Sequence, residues 1–309
     1  MDLGVEESPL EQWDVGGVPL LAKRDDLSAP LLGGNKVRAL ELLLAGTRAG
    51  TTLLTVGSSG STHALAVAAY GVRLGLPTEI ITWPQEMHAV AHATSHRLRS
   101  IARVTSARSP VDAYARAAIR RLHGGRTWIP AGGSVPLGAL GHVNAALELA
   151  EQLARGDVEP PHALVVPLGS GGTVAGLLVG LTLAALPIRV AAVRVVPTIV
   201  GNRRHVLRLA RGTHALLEHL TGERLPSPDG QRLEIVQDAY GGAYARETPE
   251  SRAAAVMLTA IAGPRVEGTY SAKALAVALA MARRVPHERI LFWRTFDGRW
   301  IGDGDAHRP

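Results

Sequence analysis

The feature that most constrains this chain is an alternation of two periodicities. Short apolar, β-prone runs are followed repeatedly by turns rich in Gly, Ser or Pro and then by stretches of helical spacing. Strands are predicted at 52–56, 78–83, 101–105, 126–129, 163–168, 188–196 and 289–294. Helices are predicted at 39–44, 65–72, 86–99, 111–123, 140–155, from the 169–172 loop to about 185, and at 203–220, 249–262 and 271–284. Parallel strands joined by helices need right-handed crossovers, so the pattern implies an α/β fold with mainly parallel sheets covered on both faces. No internal repeat, heptad array or low-complexity tract interrupts it.

At 309 residues the chain is long enough for two domains. Its lack of cysteine removes disulfides, Cys-ligated zinc, iron–sulfur clusters and thiol nucleophiles together. The acidic segment 1–7 has no basic, apolar leader pattern, and the longest uncharged apolar stretch, Val174 to Ile188, is too short for the ~20 residues of a membrane span. A soluble, cytoplasmic protein with no membrane partner is expected. The net charge of +6 comes from scattered arginines with only 4% aromatic residues to stack on bases, so nucleic acid is not an expected partner. The lysines are more informative than the charge. Only Lys23, Lys36 and Lys273 break an otherwise arginine-based set of cations. A position kept as lysine against that bias is a candidate for needing a primary amine, because a guanidinium stays protonated and forms imines poorly.

Ligands of open α/β sheets bind beyond the carboxyl ends of the strands, and two strand–helix junctions here are rich in Gly and hydroxyls. The segment Gly169-Ser170-Gly171-Gly172-Thr173 has what a phosphate needs: close backbone approach, hydroxyl donors and a following helix N-terminus. It lacks the third glycine of a dinucleotide fingerprint, where Val174 stands, and the Gly-Lys-Ser/Thr ending of a nucleotide loop. A plain flexible turn is the competing reading. The segment Gly57-Ser58-Ser59-Gly60-Ser61-Thr62-His63 suits a carboxylate, with a simple helix cap by Ser61 or Thr62 as its alternative. Lys36, in Gly33-Gly34-Asn35-Lys36, is then a candidate amine for a phosphate-bearing aldehyde cofactor. His88, His92 and His96 form an i, i+4, i+8 stripe, but no Glu follows His88 as a metallohydrolase motif requires, so a solvated or substrate-facing stripe is expected and no metal.

With these residues in place the chain resembles the 1-aminocyclopropane-1-carboxylate deaminase / D-cysteine desulfhydrase family. The blocks that carry the resemblance are Ser8–Glu11, Lys23–Leu27, Gly33–Lys36, Gly57–His63, Gly132–Ser134 with Pro136–Gly138, Gly169–Thr173 and Glu267–Lys273, in that order. The family consists of pyridoxal 5'-phosphate enzymes of fold type II, similar to tryptophan synthase β. The resemblance implies two three-layer αβα domains with twisted, mainly parallel sheets. It would divide the chain into a large cofactor domain, residues 1–39 and 150–309, and a small domain, residues 40–149. A homodimer is implied as well.

Residue by residue, the resemblance makes Lys36 the cofactor-bound lysine and the base at Cα, beside Asn35. It assigns Gly169, Ser170, Gly171, Gly172 and Thr173 to the cofactor phosphate, and Ser61, Thr62 and His63 to the substrate carboxylate, with Ser61 also catalytic near the reacting carbon and Thr62 also at the cofactor's ring hydroxyl. Tyr244 and Tyr270 match the family's two active-site tyrosines, and Ser271 falls where a side chain faces the pyridine nitrogen. The deaminase branch resembles Tyr-Glu there; a serine suits a neutral ring and favours α,β-elimination. The expected reaction is therefore a lyase or deaminase reaction on a small amino acid, with D-amino acids among the candidates, giving a 2-oxo acid and ammonia. The alternatives are β-replacement or another specialised synthase reaction, aminocyclopropane-carboxylate deamination, and cofactor binding without turnover. Three departures from the family pattern lie near the cofactor: Thr62 for an asparagine that contacts the ring hydroxyl, Ala39 for a lysine, and Phe296-Asp297 for Gly-Gly.

Overall fold

The computed structural model describes residues 2–156, 158–262 and 268–301; Glu267, the first residue of the last block above, lies outside them. The chain forms two sheets. One is six-stranded, built from β1 (Leu10–Asp14), β2 (Pro19–Lys23), β7 (Ala163–Leu168), β8 (Arg189–Arg194), β9 (Leu233–Val236) and β10 (Ile290–Trp293) in the order β1-β2-β10-β7-β8-β9. Only the β1–β2 pair is antiparallel. The other is four-stranded and parallel, with β3 (Thr52–Ser58), β4 (Thr78–Trp83), β5 (Arg103–Ser106) and β6 (Arg126–Trp128) ordered β5-β4-β3-β6.

The period of two along the strands sets the layers. Leu164, Val166, Leu168, Val190, Ala192 and Leu291 pack against α5 (Pro136–Ala154), α6 (Gly172–Leu183) and α7 (Arg203–Thr221). Their neighbours Ala163, Val165, Ala191, Val193 and Phe292 face the opposite way, onto α8 (Pro249–Ala262) and α9 (Ser271–Arg284). The smaller sheet repeats the scheme. Leu54, Val56 and Ile81 meet α4 (Pro110–Leu122), while Leu53 and Ile80 meet α1 (Asn35–Leu43), α2 (Thr62–Arg73) and α3 (Ala89–Ile101). The mainly parallel α/β fold expected from the alternation is therefore present. Among the described residues no helix is long and apolar enough to cross a membrane.

Four local differences from the sequence expectation have physical causes. Strands β1, β2 and β9 were not anticipated, since LEQWD, PLLAK and LEIV are short and the first two carry charges and no β-branched residue. They become strands by pairing in the larger sheet, β1 and β9 at its two edges and β2 between β1 and β10. Helix α5 begins at Pro136 rather than 140 because proline is favoured in a first turn, where its missing N–H is not needed. Helix α3 begins at Ala89 because His88 caps it, accepting from the Ala91 N–H at 3.3 Å. Helix α1 begins four residues early, which places Lys36 in its first turn.

Candidate active site

Lys36 owes its position to the two glycines before it. A Cβ on Gly33 would lie 2.3 Å from the Asp26 carbonyl oxygen, and one on Gly34 2.3 Å from that of Thr295, with Gly34 at φ +94°. The chain passes between two backbones where only glycine fits. Gly34 and Asn35 donate their N–H groups to the carbonyls of Asp25 and Thr295, and Gly33 donates to Asp297 Oδ2 at 3.0 Å. The departure at Phe296-Asp297 thus has a local role: Asp297 holds the turn that precedes Lys36, while Phe296 borders the cavity. Ala39, the second departure, is buried against the 131–133 turn, its Cβ 3.1 Å from where one on Gly133 would stand.

The cavity between the carboxyl ends of the two sheets measures about 840 Å³. Lys36 is the one lysine that borders it. Lys23 is fully buried and donates to Glu148, Gln152 and the Ser8 carbonyl, and Lys273 is fully buried and donates to the Tyr240 carbonyl at 2.8 Å. The arginine bias therefore singled out three positions, of which two are interior structural cations.

Opposite Lys36, the Gly169–Thr173 loop leads into the N-terminus of α6, with Gly171 at φ +92°. Ser134, which the sequence reading did not assign to the site, braces this loop. Its Oγ lies 2.6 Å from Ser170 Oγ and accepts from the Gly172 N–H at 3.2 Å. His205 was likewise missed; its Nε2 lies 3.1 Å from the Ser170 carbonyl oxygen. Asn35 joins the two walls, donating from Nδ2 to Thr173 Oγ1 at 2.8 Å. Backbone N–H groups at a helix start, small residues and clustered hydroxyls suit a phosphate monoester, and a primary amine shares the cavity. These residues fit pyridoxal phosphate.

At the end of β3, Ser61 caps α2 by accepting from the Ala64 N–H at 3.2 Å, and a Cβ on Gly57 would meet Ser61 Oγ at 2.7 Å. Ser61, Thr62 and His63 all border the cavity. The His63 ring is buried, with Nε2 3.2 Å from Thr55 Oγ1. Burial first, and then the Lys36 charge, push its pKa down to about 3; the same two causes push His142, behind Thr173, down to about 3. Both are neutral at physiological pH. Tyr244 and Tyr270 border the cavity with their hydroxyls 2.8 Å apart and their rings edge to face. Ser271 is buried behind Tyr270 as the first residue of α9 and does not border the cavity. The histidine stripe is divided: His88 is a helix cap whose Nε2 lies 3.0 Å from Thr269 Oγ1, and only His92 and His96 lie within the helix. Apolar lining residues were also not anticipated, among them Trp83, Tyr114, Trp128, Ile199 and Val200, because they come from separate parts of the chain.

An α/β cleft with an anion cradle, a lysine and a helix start converging on it defines an enzyme that holds a phosphorylated aldehyde cofactor. The chain belongs to the pyridoxal-phosphate dependent enzyme family, whose model matches residues 2–295. It is 35% identical over 305 residues to a nocardicin C-9' epimerase from Nocardia uniformis subsp. tsuyamanensis, covering 92% of this chain and 88% of the relative. It is 31% identical to a D-cysteine desulfhydrase from Serratia proteamaculans, covering 89% and 86%. Among solved structures, an ACC deaminase homologue superposes with a TM-score of 0.79 at 26% identity, covering 96% of this chain and 91% of the other.

Proposed function

We propose that this protein is a pyridoxal-phosphate dependent lyase that catalyses α,β-elimination on an amino acid bearing a leaving group at Cβ. One observation carries the reading. Lys36, alone of the three lysines, borders the cavity, between an anion cradle and a hydroxyl-rich helix start. Bound there, the cofactor would supply an electron sink for the carbanion at Cα. Lys36 Nζ anchors it and moves the Cα proton. Ser170, Thr173 and the N–H groups that open α6 hold the phosphate, with Ser134 fixing the loop. Ser61 and Thr62 hold the substrate carboxylate through hydroxyl and backbone N–H donors, and His63 backs them as a neutral ring. Thr62, which borders the cavity, would meet the ring hydroxyl; the resemblance assigns Ser271 to the ring nitrogen, but its side chain is buried outside the cavity lining and carries no step of the proposed reaction. The coupled Tyr244 and Tyr270 hydroxyls hand a proton to the departing heteroatom. The Cα–H and Cβ–heteroatom bonds break, and water releases the 2-oxo acid and ammonia.

The relative named as an epimerase supports a second reading, in which the Cα proton returns to the opposite face and Cβ is left intact. The two readings separate on product. With D- and L-cysteine and O-acetylserine, elimination predicts equal amounts of 2-oxo acid and ammonia. Tyr270→Phe should slow release by ~10²-fold or more while Cα proton exchange in D₂O persists. Exchange with inversion and no 2-oxo acid from any substrate would move the assignment to the epimerase.

The packing of α5 on the larger sheet supports drawing the domain boundary just before Pro136, so that 136–149 join the larger body. A cytoplasmic homodimer completes the proposal, supported by the family resemblance.

A further inference from the structure

Among the described residues, aromatic side chains gather around one cavity. The sequence holds five Trp, five Tyr and two Phe, and six of these twelve, Trp83, Tyr114, Trp128, Tyr244, Tyr270 and Phe296, line the space that Lys36 enters. Tyr244 and Tyr270 have a hydroxyl-based role. The first three form a separate group on the smaller-sheet side. Trp83 ends β4 and Trp128 ends β6, the two strands that flank β3, and both rings lie on the sheet face that α4 covers. Tyr114, on α4, closes the group. Its ring centroid lies 6.4 Å from Trp83 at an interplanar angle of 27°, and 6.2 Å from Trp128 at 64°. The Arg121 guanidinium stands 5.5 Å from the Trp128 ring centroid, a cation–π contact that orients the ring.

Such a wall exceeds what a cysteine-sized substrate needs. The cavity of about 840 Å³ must hold the cofactor as well as the substrate, and the aromatic group forms a wall apart from the Gly169–Thr173 loop. Tyr114 remains 46% exposed, and Ile199 and Val200 continue the apolar lining at 89% and 42%. Glu86, which borders the cavity, pairs with Arg246 at 3.7 Å. A stacked pair of rings with a third edge-on offers both faces and edges to a further ring, and aromatic pairs gain beyond their buried area.

We propose that Trp83, Tyr114 and Trp128 form a subsite for an aryl group carried on the substrate side chain, so that the substrate is an aryl-bearing amino acid. This rests on the amino-acid reading of the site given above. A matched pair of probes tests it: S-benzylcysteine and S-methylcysteine, each as D and L, mixed with holoenzyme. The apparent Kd is taken from the initial change in cofactor absorbance, before turnover. The benzyl compound is expected to bind at least tenfold more tightly. Tyr114→Ala, at a half-exposed position, and Trp128→Ala should each remove at least threefold of that preference and leave S-methylcysteine within twofold; Trp128→Phe should restore most of it. Equal affinity for the two probes, or a preference that survives both alanine variants, overturns the subsite. A tryptophan-dependent preference without 2-oxo acid or ammonia keeps the subsite and overturns elimination. Product from S-methylcysteine with no aryl preference does the reverse. Failure of every probe to perturb the cofactor overturns both.

Discussion

The two walls of the cavity are made of different material. On the larger-sheet side, the anion cradle consists of backbone and small residues from one continuous segment, Gly169–Thr173, braced by Ser134 and His205. On the smaller-sheet side, Trp83, Tyr114 and Trp128 come from β4, α4 and β6 and meet only in the folded chain. The first wall presents what any phosphate would require. The second presents a shape that selects among side chains. On the proposed reading, cofactor binding is written in local sequence and discrimination between substrates in tertiary contacts.

Each side also carries a buried neutral histidine near Lys36, His63 on α2 and His142 on α5, and acid is the strongest perturbation of this arrangement. Their folded pKa values of about 3 lie below the ordinary 6.5, so between those limits the unfolded chain binds protons that the folded chain refuses. Stability should therefore be complete above about pH 6.5 and fall as pH drops toward 3, by up to ~1.4 kcal/mol per pH unit for each histidine. Urea midpoints measured between pH 7 and pH 5 should show this slope. In His142→Asn the slope should be about half as steep, whatever the variant's stability at pH 7. An unchanged slope would mean that the larger-sheet histidine is not held neutral.

A smaller effect isolates the backbone-built wall. Gly132 lies at φ +70°, and a Cβ there would come within 2.1 Å of Ser170 Oγ. Gly132→Ala is expected to cost ~1–3 kcal/mol from backbone strain and to displace Ser170, weakening cofactor retention at least tenfold. Thermal unfolding and dialysis against buffer lacking cofactor read the two parts separately. If stability falls while cofactor affinity holds, the 132–134 turn supports the fold without shaping the cradle.

The same contrast explains what was legible before the structure. The alternation of strand and helix gave the α/β class because both-face burial forces apolar runs in β3, β4, β7 and β8. Lys36, Ser61 and the 169–173 loop were legible as candidates because each lies in a short run of consecutive residues at a strand or helix end, and the structure brings all of them to one cavity. The edge strands β1 and β9, and β2 beside β1, were not legible, since their conformation comes from neighbouring strands rather than from their own composition. His88 looked like one of three equivalent histidines, yet its backbone at φ −102°, ψ 174° is that of a cap. Lys23 and Lys273 show the limit of the composition argument. A buried cation can hold its identity for ion pairing and hydrogen bonding as firmly as a reactive amine does.

That ambiguity among three lysines also supplies the most direct test of the central claim. Holoenzyme reconstituted with pyridoxal phosphate should be reduced with borohydride, digested and mapped by mass spectrometry. The phosphopyridoxyl group is expected on Lys36 alone, with no stable label in Lys36→Ala. A label on Lys23 or Lys273, or undiminished labelling of the Lys36→Ala protein, would contradict it.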